Sequence, residues 1–285
     1  MILKVVLTIA LAQAVRSRVD DRDPASQCLW WPENTAIQLR LSVNGNPETP
    51  AETEFAAIVA AMNTWQTKLS ACSSLSLTEG PRTQTRKVGY FDKETNENIA
   101  VFRLRRCSEI APPGDACYGE PDNCGNQFDC WQHQEAAIAI TTTSYNPNTG
   151  RILDSDIEFN TPTFIFSTVD APPCLAGAYS TSCVATDVQN TTTHELGHLL
   201  GLGHSPGVGS TMSFRANPGE LSKRTLDADS ARFVCEAYPA GRPSQTCFLE
   251  PVSPELGAAA KGCSAAPGGV LLAIAGLLLR RRRRS

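Results

Sequence analysis

The sequence predicts an α+β fold of several strands, two of them an antiparallel pair, with long helices that include one near the C-terminus. Several short segments alternate apolar and polar residues, a pattern typical of strands. Longer segments repeat apolar residues every three or four positions, which predicts helices. Two of the strands flank a tight turn, so we expect an antiparallel pair. The length of 285 residues suits one large domain or two small ones.

The elements follow one another with clear turn residues between them. The first helix carries Phe55, Ile58 and Met62 at helical spacing, and the second begins at Asp187, a typical N-cap residue. Glycines at 201 and 203 are expected to end that second helix. In chain order, we predict a strand at 36–43, a helix at 51–69, strands at 99–105, 136–145 and 151–160 around the turn 146–150, and helices at 187–203 and 225–238.

Charge and composition narrow the class of partner. The formal net charge is -4, but five of the 25 basic residues are Arg280 to Arg284. The preceding 279 residues therefore carry 20 basic and 29 acidic groups. An excess of acidic residues in this part of the chain argues against nucleic acid as a partner.

The N-terminus and the cysteines favour export. Residues 1–17 contain Lys4, a short apolar run and an Ala-Gln-Ala triplet, the layout of a secretory signal peptide with cleavage after Ala14 or a few residues later. An N-terminal strand or short core helix is the alternative. Ten of the eleven cysteines lie between Cys28 and Cys247, which allows up to five disulfides of undetermined pairing. Four of them fall in a loop insertion at 106–135, which we expect disulfides to hold together.

The stretch HELGHLLGLGH, residues 194–204, holds three of the four histidines. On a helix, His194 and His198 lie one turn apart on the same face and can bind one Zn²⁺ together. Glu195 points off that line and can reach a water on the metal. Gly201 lets the chain leave the helix and bring His204 round as a third ligand. The alternative, an amphipathic helix with incidental histidines, does not explain five specified residues at fixed spacing.

This motif resembles the zinc signature of the metzincin metallopeptidases, and Ser205 after the third histidine is similar to their matrixin branch. Metzincins also place a methionine turn beneath the metal, and Met212 stands at the matrixin spacing. The similarity covers roughly residues 33–240, most strongly 187–212. The resemblance implies an α+β domain with a twisted mixed sheet that has an antiparallel edge strand, a long active-site helix and a C-terminal helix. It further implies a zinc endopeptidase in which Glu195 is the general base on a zinc-activated water. It also implies that an extended protein or peptide substrate lies antiparallel to the edge strand near 136–143.

Three departures from the matrixin pattern affect what the resemblance predicts. No cysteine-switch segment stands ahead of the catalytic region, so latency by that route is not expected. His133 is the only histidine outside the motif, so the histidine-built second zinc site of vertebrate matrixins is not expected. Ser213 and Phe214 follow Met212 where Tyr and Pro are usual, which changes the specificity pocket. Calcium ligands and solvent-facing strand positions are both open interpretations of Asp154, Asp156 and Glu158.

The C-terminal tail carries a separate signal. Cys263 precedes an apolar run of about 12–15 residues, shorter than the roughly 20 that span a bilayer, and the five arginines follow. This arrangement resembles the myxobacterial-type C-terminal sorting tail (MYXO-CTERM), which implies processing by a sorting protease and attachment at the cell surface, with Cys263 as a lipidation candidate. A plain tail anchor, which would hold the protein in the membrane, and a basic solvated terminus are the alternatives.

Together these patterns predict an exported zinc endopeptidase located at the cell surface, in the outer membrane or outside the cell. The predicted parts are a signal peptide at 1–17, a catalytic domain at 18–240, a linker at 241–262 and a sorting or membrane segment at 263–285. The alternative function is a metzincin-shaped binding or adhesion module with a structural zinc and no proteolysis. The presence of Glu195, which such a module would not need, favours the enzyme.

Overall fold

A computed structural model describes residues 14–23, 25–119, 123–207, 209–245 and 247. Its strands are β1 Val15–Arg16, β2 Ala36–Leu41, β3 Ser76–Glu79, β4 Asn98–Arg103, β5 Ala139–Tyr145, β6 Ile152–Asn160, β7 Phe166–Ser167, β8 Thr186–Asp187 and β9 Leu202–Gly203. Its α-helices are α1 Thr53–Cys72, α2 Cys107–Ile110, α3 Asn123–Phe128, α4 Val188–Leu199 and α5 Ala228–Ala237.

Five strands form the central sheet in the order β3-β2-β4-β6-β5. The first four are parallel, and β5 joins β6 antiparallel at the edge. This is the mixed sheet with an antiparallel edge strand that the metzincin resemblance implies. The other edge of β5 has no strand partner within the described ranges, so it can accept an extended chain.

The helix α1 packs against the sheet and against α4. Its apolar residues recur at the spacing predicted from the sequence, and Ile58, Trp65 and Leu69 are almost completely buried. The indole N–H of Trp65 donates to the carbonyl of Thr193 in α4 at 2.8 Å. This bond and the surrounding apolar contacts connect α1 to the helix that carries the site.

Two short strand pairs complete the packing around α4. β1 pairs antiparallel with β9, directly after α4, and β7 pairs parallel with β8, directly before it. The predicted helix 187–203 is therefore shorter in the structure: α4 ends at Leu199, because Leu202 and Gly203 take up strand pairing with Val15 and Arg16.

The insertion at 106–135 forms a disulfide-bonded unit with its own small buried cluster. It contains α2 and α3, which the sequence did not predict, and the bonds Cys107–Cys130 and Cys117–Cys124. Cys174–Cys183 closes a further surface loop. The predicted capacity for five disulfides is thus filled with two long-range bonds, Cys28–Cys247 and Cys72–Cys235.

The bond to Cys247 ties the first part of the predicted linker to the domain. Cys263 and the rest of the predicted tail lie outside the described residues, as does the apolar run of the predicted signal peptide. Within the described ranges, no helix is both long and apolar enough to cross a membrane.

Candidate metal centre and catalytic cleft

Both ends of α4 are held by specific contacts. At the N-terminus, the Asp187 carboxylate accepts the backbone N–H of Asn190 at 2.7 Å, as predicted for an N-cap. At the C-terminus, the Leu199 carbonyl accepts the indole N–H of Trp31, and the Leu200 carbonyl accepts the hydroxyl of Tyr238. These bonds satisfy carbonyls that a helix end leaves without partners and set the position of the histidines.

The three motif histidines converge as predicted. The Nε2 atom of His198 lies 3.2 Å from Nε2 of His194 and 3.2 Å from Nε2 of His204. In the described part of the chain, they form the one group of three or more His, Cys, Asp or Glu side chains close enough to share a metal ion. The burial decreases along the series, from His194 to His198 to the exposed His204.

The donor set fits a zinc ion. Nδ1 of His194 donates to the Thr211 carbonyl at 2.7 Å, and Nδ1 of His198 donates to the Leu202 carbonyl at 2.7 Å. In a neutral imidazole, a proton on Nδ1 leaves the Nε2 lone pair free, and these lone pairs face one another. A cation between them removes the repulsion, and imidazole nitrogens are preferred zinc ligands.

Burial keeps the histidines in the neutral state that ligands need. Desolvation lowers the pKa of His194 well below its ordinary value and that of His198 less strongly, and it lowers the pKa of His204 to about 4. The neighbouring ring charges add to the effect on His194 and His204.

The turn after α4 depends on Gly201, as the sequence predicts. Its φ of +89° lies in the left-handed region, and a Cβ at this position would stand 2.9 Å from the carbonyl oxygen of Leu29. The backbone N–H of Gly201 donates to the His198 carbonyl at 2.8 Å. The chain then continues through β9 to His204.

Met212, the predicted methionine-turn residue, is completely buried and packs against α4. A Cβ built on Gly197 would stand 2.2 Å from the Met212 sulfur. The glycine in the motif therefore has a packing role that spacing alone did not show. It lets the methionine lie against the helix between His194 and His198.

Glu195 is 5 % exposed and its carboxylate lies at the base of the cleft. Its Oε2 accepts the hydroxyl of Thr141 in β5 at 2.6 Å, and its own carbonyl accepts the same hydroxyl at 3.1 Å. Burial raises the pKa of Glu195 to about 7, while the Thr141 bond and the charge of Lys223 oppose the rise. Thr141 was not identified from the sequence, because only the pairing of β5 beside α4 brings it there.

Lys223 is a second side chain that the sequence did not identify. It lies in the short helical turn 222–224 and is 4 % exposed, yet it lines the same cleft. Its backbone N–H donates to the side-chain oxygen of Asn190 in the first turn of α4 at 2.8 Å. Burial lowers the pKa of Lys223.

These residues face a cleft with a volume of about 1010 Å³. Its walls are the free edge of β5, the motif histidines, and the segment 214–217 that follows Met212. Residues 17–22 form a further wall, and Tyr145 of β5 donates its hydroxyl to the Val19 carbonyl at 3.1 Å. The sequence analysis did not predict that the N-terminal segment would border the cleft.

The acidic residues of β6 lie away from the three histidines. Asp154, Asp156 and Glu158 are at most 3 % exposed, because β6 lies between β4 and β5; the solvent-facing interpretation is therefore wrong. Asp156 accepts the backbone N–H groups of Gly89 and Ile99. Burial of the two aspartates raises the pKa of Asp154 and, more strongly, that of Asp156.

Glu158 and His133 belong to a buried ion-pair network. Glu158 accepts the Arg103 guanidinium at 2.6 Å and contacts Nε2 of His133 at 2.9 Å. Burial would raise the pKa of Glu158, but these two partners bring it below its ordinary value. His133 thus has a structural contact remote from the motif.

Comparison with known protein families agrees with this geometry. The matrixin family model (Peptidase_M10) matches residues 121–239, which include β5, β6, α4, Met212 and α5. A search of curated proteins found no match. Matrixins are zinc metalloendopeptidases that act on proteins and peptides, and the matched segment holds the histidine triad. The match confirms the predicted resemblance, fold class and enzyme class; the sorting tail and the location in the cell stay predictions.

Proposed function

We propose that this chain is an exported zinc-dependent endopeptidase in which Glu195 is the general base for peptide-bond hydrolysis. The observation that carries the proposal is the position of the Glu195 carboxylate, which Thr141 holds in the cleft beside three converging Nε2 atoms. The match to the matrixin family supports the same chemistry for the domain.

His194, His198 and His204 would hold the zinc ion. When bound, zinc at such a site lowers the pKa of a coordinated water to about 7 and polarises the peptide carbonyl. All three residues are neutral imidazoles, a donor set that would leave a bound zinc ion able to take water or substrate as well.

The chain's own residues then move the proton and position the substrate. Glu195 removes a proton from the attacking water as the new C–O bond forms, and it delivers that proton to the departing amine nitrogen as the C–N bond breaks. Thr141 keeps the carboxylate oriented during both transfers. An extended substrate binds antiparallel to the free edge of β5 through backbone hydrogen bonds.

Five disulfides support export, because such bonds persist in oxidising compartments. The pairing of Val15 and Arg16 with β9 favours signal cleavage after Ala14 over cleavage after residue 17, since these two residues belong to the folded domain. Sequencing the N-terminus of the exported protein tests this proposal, and a mature chain that begins after Arg16 would contradict it.

The decisive test of the activity compares wild type with Glu195→Ala, both as the full chain exported into an oxidising compartment. Unfolded casein is the substrate, and bound zinc is measured in parallel. Glu236→Ala is the matched control, because this glutamate is exposed on α5 and does not line the cleft. We expect about one zinc in all three proteins, and cleavage by wild type and Glu236→Ala only. Zinc binding without cleavage by wild type would favour a binding module, and absence of zinc would contradict the metal site.

A further inference from the structure

The cleft contains a buried ammonium group that takes no direct part in the proposed proton transfers. Lys223 extends from the turn 222–224 toward the segment after Met212, and its ammonium group donates to the carbonyls of Ser213 at 2.7 Å and Arg215 at 2.8 Å. These two bonds use two of the three N–H groups. Among the described residues, the third has no hydrogen-bond partner, although the side chain lines the cleft.

No carboxylate within the described ranges lies within 4.0 Å of the Lys223 ammonium. The nearby Glu220 carboxylate is held by the backbone N–H of Asn217 and the hydroxyl of Ser222, and Glu195 is held by Thr141. The charges of Glu220 and Glu195 act to raise the pKa of Lys223 from farther away. Its direct hydrogen-bond partners are neutral carbonyls, however, and burying a cation without a counter-ion in contact is costly. Neutral side chains would brace these two carbonyls at a lower cost. The ammonium group of Lys223 is therefore suited to bind an anionic group of a molecule in the cleft.

The position of Lys223 determines which part of a substrate would meet it. Its neighbour Asn190 is in the first turn of α4. That turn lies at the end of the cleft where β5 begins. Just before α4, the backbone N–H of Thr186 donates to the Ile165 carbonyl. The residue next to Ile165, Phe164, lines the cleft together with Ile138, which directly precedes β5. A substrate antiparallel to β5 has its C-terminal side at this end.

We propose that Lys223 makes this subsite selective for an acidic side chain, Glu or Asp, on the residue that follows the scissile bond. The proposal rests on the proposed peptidase function and names its substrate class. Arg215 adds positive charge at the rim, where it lies over the ring of Phe214. At the other end of the cleft, the two arginines and two aspartates of residues 18–22 balance one another. An acidic side chain at this end of the cleft would therefore meet the positive charges of Lys223 and Arg215.

Two quenched peptides test this subsite. They share one sequence and carry either Glu or the isosteric Gln directly after the cleaved bond. For wild type we expect kcat/KM to favour Glu by about 10-fold or more, as charge-assisted hydrogen bonds in buried sites do. Lys223→Met is expected to bring the Glu/Gln ratio to about one, and Lys223→Arg to restore a preference for Glu. Lys87→Met is the matched control, because Lys87 is exposed and remote from the cleft.

A binding measurement makes the test independent of turnover. In the Glu195→Gln background, fluorescence anisotropy gives the affinities of both labelled peptides with and without Lys223→Met. A structural brace would lower kcat/KM and affinity for both peptides by the same factor, and this result would overturn the proposal. Equal use of Glu and Gln by wild type would overturn it as well. Failure to cleave either peptide, with the Glu preference still present in binding, would instead contradict the proposed peptidase function.

Discussion

Gly197 shows how a single residue in the motif serves the metal centre through packing. Glycine within a helix is normally about 0.5–1 kcal/mol less stable than alanine. Here a Cβ would stand 2.2 Å from the sulfur of Met212 and 3.3 Å from the ring of Trp65. The clash falls on the sulfur and terminal methyl group of Met212, and because this side chain is completely buried behind the metal-binding helix, alanine here would force it to repack.

We therefore predict that Gly197→Ala destabilises the protein by about 1–3 kcal/mol, the range for added volume in a packed core. Urea unfolding monitored by circular dichroism measures the change. Gly119→Ala is the matched control, because no atom lies within 4 Å of its Cβ position. A Gly197→Ala variant as stable as wild type would show that the methionine can move away without cost.

At the same scale, the motif residues could be identified from the sequence and their partners could not. His194, His198 and His204 have fixed spacing along one helix and turn, so local geometry predicts their convergence. Thr141 and Lys223 lie 54 residues before and 28 residues after Glu195. Only sheet pairing and the turn 222–224 bring them to the cleft, and no local pattern encodes that placement.

Among the secondary-structure elements, α5 illustrates a helix whose cap also supports the site. The Asp227 carboxylate accepts the N–H groups of Asp229 and Ser230 at the start of α5. It also accepts the N–H of Thr211, whose carbonyl receives Nδ1–H from His194. One carboxylate thus connects the C-terminal helix to the segment that orients a metal ligand.

This carboxylate provides a prediction about pH. Burial would raise the pKa of Asp227, but hydrogen bonds from Ser230 and Thr211 bring it below the ordinary value near 4. A lowered folded-state pKa contributes stability that is fully present above about pH 4 and is lost as the pH falls through the folded-state pKa. Asp227→Asn keeps a capping oxygen and removes the charge, so this contribution disappears. We expect the Asp227 charge to contribute about 0.5–1 kcal/mol to the free energy of unfolding, the value of a charge at a helix N-terminus.

Urea unfolding at pH 7 and pH 3 checks the prediction, with Asp92→Asn as the control because this carboxyl is exposed in a loop. The loss of unfolding free energy between the two pH values should be smaller in Asp227→Asn than in wild type. Protonation of the histidines affects both proteins alike and cancels in the comparison. An equal loss in both would contradict the assigned role.

Element by element, the long periodic segments were predictable and the short ones were not. The strands 139–145 and 152–160 and the helix 53–72 agree with their patterns to within a few residues. The strand β3 was not predicted, since four residues are too few to show alternation. The ends of α4 and α5 differ from prediction by one to four residues, because strand pairing and caps decide them, and neither depends on periodicity.

On the scale of the whole molecule, the matrixin-like segment depends on residues outside the match. Residues 121–239 include α4 but not α1, which packs against it and holds it through Trp65. One long-range disulfide connects the two regions, since Cys72–Cys235 ties the end of α1 to α5. A second, Cys28–Cys247, joins residues on either side of the match and ties the N-terminal segment to the end of the described chain. The residues that hold α4 in place therefore come from parts of the chain that are distant in sequence.

This arrangement predicts unequal costs for removing disulfides. Cys72–Cys235 spans 163 positions, whereas Cys174–Cys183 spans 9 and lies entirely within one surface loop. In the chain-entropy model, the stabilisation grows with the logarithm of the loop length, so the long bond should contribute about 2–3 kcal/mol more than the short one. Urea unfolding of the double variants Cys72→Ser/Cys235→Ser and Cys174→Ser/Cys183→Ser measures both losses in one assay, each pair serving as the control for the other. Because only the first pair joins α1 to α5 around α4, it should also weaken zinc retention. Equal losses of unfolding free energy, with zinc retained in both, would show that packing alone holds α1 and α5 in place.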